Sequence, residues 1–73
     1  NTALFDAQMI SMSIVNPSME ELEQIDKAMV IDRLEELLDY EEFYATITKG
    51  TTDRNTVHKR INDYTEFLRN LLT

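Results

Sequence analysis

Seventy-three residues make at most one domain, and a chain this short buries only about 60% of the surface its unfolded form exposes. With no cysteine, one histidine, one glycine and one proline, it has no disulfide and no thiolate metal site, too few turn residues for a sheet-rich fold, and a composition that favours helix. Fourteen acidic residues against seven basic ones give a formal charge of −7. That charge disfavours broad binding to phosphate backbones and suits a soluble protein, a basic partner, or mimicry of nucleic acid.

The first fifteen residues are apolar at Ala3, Leu4, Phe5, Ala7, Met9, Ile10, Met12, Ile14 and Val15, with Asp6 the one charge. On a helix these positions point nearly all round, so the segment needs cover from more than one neighbour. Met9 to Ile14 is the best strand candidate, but its alternation is too short to convince. Broken by Asp6, Gln8, Ser11 and Ser13, the run is too polar and too short to span a bilayer. No charged leader precedes it, the first basic residue being Lys27, so no secretory signal is read and a cytoplasmic location is expected. Asn1 in place of a methionine fits a trimmed or processed start. Three of the four methionines lie between Met9 and Met19, and methionine both fills cores and adapts to partners. Phe5, Met9 and Met12 are the apolar candidates for partner contact.

Asn16-Pro17-Ser18-Met19-Glu20-Glu21 marks a helix start. Ser18 and Glu21 stand at capping-box spacing, with Pro17 and Leu22 placed as a staple; Asn16 as cap with Pro17 at the first helical position is the alternative. The expected helix runs over residues 18–47 and stops at Gly50. Leu22, Ile25, Met29, Leu37, Tyr40, Phe43, Tyr44 and Ile47 share one broad face, while Ile31, Leu34 and Leu38 form a flanking one. Such a helix packs against two neighbours or bends near Val30. Its ten acids against Lys27 and Arg33 make it strongly acidic, and Glu20, Glu21, Glu23 and Asp26 are the acidic candidates for partner contact.

Thr51-Thr52-Asp53 offers the next cap. From there Val57, Ile61, Tyr64, Leu68 and Leu71 recur at spacings of four and three, a seam that predicts a helix over residues 53–72. Folding the chain about Gly50 sets Val57 opposite Phe43, Ile61 opposite Tyr40, Tyr64 opposite Leu37 and Leu71 opposite Met29. This is an antiparallel hairpin with Arg60 at its solvated edge beside Glu41.

Chemistry-bearing constellations are sparse. Glu35, Asp39 and Glu42 lie on one stripe, but the position three before His58 is Asn55, so no Glu-x-x-His pair exists, and neither metal nor cofactor is assigned. No nucleophile, base and orienter come together, and the chain lacks both a glycine-rich loop and the Asp-Ser-Leu site of an acyl carrier, so no enzyme activity is expected. Lys49 to Ile61 has the glycine, threonine cap and inward Val57 and Ile61 of a helix-turn-helix. Under that alternative Arg54, Asn55, His58, Lys59 and Arg60 would reach DNA. Against it, the span from Gly50 to Val57 is one residue longer than the usual turn and the preceding helix is acidic. Carboxylate rows between Glu20 and Glu42 also permit a nucleic-acid mimic that blocks a basic groove.

The resulting expectation is an all-α fold, an antiparallel helical hairpin plus an N-terminal helix, forming a three-helix bundle by itself or by oligomerisation. Its expected function is protein–protein interaction, as accessory subunit, adaptor or inhibitor. The expected partner is a protein or a second copy of the chain in a homo-oligomer.

Overall fold

The computed structural model describes residues 1–50 and 52–72. Thr51, part of the expected cap before the last helix, lies outside the described residues, as does Thr73. The described residues are all-helical: α1 (Thr2–Val15), α2 (Met19–Glu23), α3 (Lys27–Asp39), α4 (Glu41–Thr48) and α5 (Arg54–Leu72).

α1 starts on Asn1, whose side-chain oxygen accepts the Leu4 N–H at 2.9 Å, satisfying one of the orphan donors of a helix start. It ends on Asn16 at φ 46, a left-handed position that asparagine tolerates. Asn16 is therefore a C-cap, and the next start falls to Ser18. Its hydroxyl accepts the Glu21 N–H while the Glu21 carboxylate accepts the Ser18 N–H, both at 3.1 Å, which completes the capping box of α2.

The expected continuous helix over residues 18–47 is instead three helices. The first break follows from Asp26, whose carboxylate accepts the Ala28 N–H at 3.0 Å and caps α3; short polar side chains bond the backbone this way and favour caps over helix interiors. The second break is at Tyr40, not near Val30, with φ −76 and ψ 112. Its cause is facial. Leu34 and Phe43, like Leu38 and Ile47, are nine residues apart, which on a straight helix is about half a revolution. A straight helix would aim Leu34 and Leu38 away from Phe43 and Ile47. The bend turns both toward one core, in which Phe43 and Ile47 are buried and Leu34, Leu37 and Leu38 pack at the margin.

α5 is the central element. It packs along α1 on one side and α4 on another, while α3 reaches the core by way of α4. Tyr64 and Leu68 of the expected seam are buried, and Val57, Ile61 and Leu71 are half-buried. The hairpin register differs. Phe43 meets Tyr64, with ring centroids 6.4 Å apart, rather than Val57, a shift of two turns along α5. The shift brings Arg60 under the C-terminal end of α4. Arg60 is 3% exposed and donates through Nε to the Thr46 carbonyl at 3.0 Å. The expected place for Arg60, a solvated edge beside Glu41, is thereby corrected: its charge sits where a helix C-terminus presents unpaired carbonyls and partial negative charge. Asn1 serves the same end, its side-chain amide donating to the Ile47 carbonyl at 2.9 Å.

Candidate functional site

α1 is turned in an unexpected way. The face it lays against α5 is small and polar: Ala7 and Ser11 are both 0% exposed, and Gln8 is half-buried. The Ser11 hydroxyl accepts from Thr65 at 3.0 Å and lies 3.4 Å from the Ile61 carbonyl, while the Gln8 amide donates to the Tyr64 hydroxyl at 3.1 Å. Small residues let the two backbones approach closely, and the hydrogen bonds remove the cost of burying the polar groups. Leu4 packs against the core and Val15 is half-buried, but the other large apolar residues are left outside. Phe5 is 58% and Met9 59% exposed, Met12 is also exposed, and Ile10 and Ile14 flank them. Phe5, Met9 and Met12 stand at i, i+4 and i+7, which is one helical stripe. The three expected apolar contact residues are therefore brought together on the outside of the molecule. Ile10 and Ile14 were not singled out in the sequence, because a segment apolar all round does not say which side faces in.

The acidic candidates are differently placed. Glu20, Glu21, Glu23 and Asp26 are all exposed, and α2 buries nothing. Two of them have local work: Glu21 closes the capping box and Asp26 caps α3. Glu20 and Glu23 are left as solvated carboxylates on a helix of five residues.

Of the basic candidates on α5, Arg54, Asn55, His58 and Lys59 are exposed and Arg60 is buried. Lys59 lies 3.0 Å from Asp63 and 3.9 Å from Glu42. The Asp63 carboxylate, first by its hydrogen bond and then by its charge, holds the Lys59 amine above its ordinary pKa. The structure thus buries Arg60, 3% exposed, away from the other four candidates and gives Lys59 carboxylate partners.

Clefts open on either side of α5 among the described residues. One, of about 420 Å³, lies between α1 and α5 and is lined by Asp6, Ala7, Met9, Ile10, Thr52, Val57, Arg60 and Ile61; it continues the apolar side of α1. The other, of about 390 Å³, lies between α3 and α5 and is lined by Arg33, Glu36, Leu37, Tyr40, Asp63, Glu66, Phe67, Asn70 and Leu71. Among the described residues no group of three potential ligands could hold a metal ion, and the bend at Tyr40 sets Glu42 on a different helix from Glu35 and Asp39. Among the described residues no helix is long and apolar enough to cross a membrane.

No family model matches the chain, and no curated protein or solved structure is detectably similar to it.

Proposed function

We propose that this chain is a protein–protein interaction module, an accessory subunit, adaptor or inhibitor, whose recognition surface is the outer face of α1, and that it associates there with a second copy of itself. The observation that carries this reading is the inverted placement on α1: Ala7 and Ser11 inside, Phe5, Met9 and Met12 outside. Exposed apolar side chains scattered singly are ordinary, whereas a contiguous patch marks an interaction site. Charge supports the choice of face. α1 carries only Asp6 of the fourteen acids, so two copies meeting there avoid most of the repulsion that an approach through the acidic helices α2 to α4 would meet.

The energies set the scale. Each large apolar side chain contributes roughly 1.5–3 kcal/mol on going from full exposure to full burial, and half-exposed ones contribute less. Three from each copy give a gross gain comparable with the cost of association, roughly 4–15 kcal/mol. That balance argues against a tight obligate dimer, and micromolar association, a net of roughly −8 kcal/mol, requires the flanking Ile10 and Ile14 to be covered as well.

Sedimentation of the intact chain tests the reading. The wild-type chain is expected to dimerise, or to form larger assemblies, at micromolar concentration. A Phe5→Ser/Met9→Ser/Met12→Ser variant should sediment as a monomer with unchanged helical circular dichroism. A wild-type chain that stays monomeric at millimolar concentration, or a triple variant that associates as before, removes the reading.

A further inference from the structure

The cleft between α3 and α5 faces a different side of the chemistry from α1. Its floor is apolar, with Leu37, Phe67 and Leu71 each half-buried, and its rim carries Glu36, Asp63 and Glu66. Arg33 is the one basic residue that lines it. We propose that this cleft docks an amphipathic helix with basic flanks, presented by a protein partner. The cleft and such a helix are complementary in shape and in charge. Two helices walling an open apolar trough form the receptor half of helix-in-groove recognition, in which anchors at i, i+3, i+4 and i+7 fill the floor. Tyr40, 56% exposed at the cleft, offers an aromatic wall with a polar tip of the kind enriched at interfaces.

The rim decides which helix. Asp63 is already paired with Lys59 at 3.0 Å, but Glu36 and Glu66 against Arg33, on a chain of charge −7, attract lysine and arginine on the flanks of the occupant and repel acidic helices and phosphate backbones. A second copy fits poorly, because it would bring its own acidic surface to an acidic rim. Arg33 gives the site a direction, since an acidic residue at one end of the docked helix would pair with it. This surface shares no residue with the stripe on α1, so the proposal stands or falls separately from the reading above.

The test uses the intact chain and a fluorescent synthetic helix of about 15 residues, with leucines on one face and lysines on the other, beside a counterpart with glutamates in place of lysines. The lysine peptide is expected to bind and the glutamate peptide not to. Amide shifts on binding should centre on Leu37, Phe67 and Leu71. A Glu36→Lys/Glu66→Lys variant changes only exposed side chains, so it should stay folded, and it should weaken binding by about tenfold or more, as should raised salt. The α1 triple serine variant should bind the peptide as the wild type does. Unchanged affinity in the charge-reversed variant, equal binding of the glutamate peptide, or shifts centred on α1 would each overturn the proposal. So would concentration-dependent shifts at the cleft in the chain alone, which would assign it to a second copy.

Discussion

Arg60 shows how a single residue changes meaning between sequence and structure. Its neighbours in the chain, His58 and Lys59, are exposed, and its place beside the expected seam reads as a solvated edge. In the fold its aliphatic stem lies between α4 and α5 and its guanidinium faces the carbonyl of Thr46. Truncation removes a charge-assisted hydrogen bond and leaves both a void and a carbonyl without its donor. Arg60→Ala should therefore cost roughly 2–4 kcal/mol, whereas Arg69→Ala, at an exposed position in the last turn of α5, should cost less than about 1 kcal/mol. Thermal melts of the two variants check the contrast, and equal costs would place Arg60 in water. Tyr64 gives a second residue-scale test. Burial pushes its phenol above the ordinary value of 10.0, with the Gln8 hydrogen bond opposing more weakly. The folded state thus prefers the neutral phenol. As pH rises past the ordinary value, the unfolded chain loses its proton first, so the stability held below about pH 10 is lost as pH climbs through the raised folded value. Lys59, also raised, pulls in the same direction from the surface. Tyr64→Phe should flatten part of the alkaline loss while costing about 1 kcal/mol at neutral pH through the missing bond to Gln8; an unaltered alkaline slope would place the titration elsewhere.

At the level of elements, what was legible in the sequence is what local chemistry alone decides. The Ser18–Glu21 capping box and the stop at Gly50 depend on residues within one turn, and the C-terminal helix and the helical class on periodicity and composition, so all four can be read without knowing the tertiary contacts. The break at Tyr40 cannot, since Asp39-Tyr40-Glu41 contains no glycine or proline; it exists because Leu34 and Leu38 must share a core with Phe43 and Ile47. Its one trace in the sequence is the pair of apolar faces on residues 18–47, which fits a bend near Val30 or two neighbours as well as the break at Tyr40. The register was illegible for a similar reason: apolar residues match apolar residues at several offsets, and only Arg60 reaching the end of α4 separates them. The outer face of α1 was half legible, since the residues were identifiable but the side that turns inward depends on how closely Ala7 and Ser11 let α5 approach. Two substitutions test the local readings. Gly50 sits at φ +56 with its nearest would-be contacts at 3.7 and 3.8 Å, so alanine there meets no clash and only conformational strain. Gly50→Ala should lower stability by about 1–2 kcal/mol and Gly50→Asn by less. Ser18→Ala should loosen α2 yet move the global melt little, because α2 buries no residue. A large drop in the melt for Ser18→Ala would show that α2 is tied to the core after all.

Across the whole molecule the fold is uneven. The buried apolar residues are Ala7, Phe43, Ile47, Tyr64 and Leu68, drawn from α1, α4 and α5. α3 contributes half-buried side chains from one face, and α2 contributes none. Local opening is cheapest where few apolar contacts must be broken, so protection against amide hydrogen exchange should follow this order. The slowest amides are expected in the middle of α5, in α4, and in α1 from about Ala7 to Ser11, where exchange requires the shared core to open. α3 should be intermediate, best protected near Leu37 and Leu38. α2 and its flanks should exchange fastest of the helical segments, since only the capping box and the short helix hold them. Raising the chain concentration separates monomer from assembly. If copies meet on α1, its protection and that of α5 should rise with concentration, because association stabilises the folded state by mass action, while α2 stays fast. Protection in α2 equal to that in α5 at low concentration would contradict the order proposed here. It would mean that Leu22 and Met19, both exposed in the single chain, are covered by something other than the surfaces assigned above.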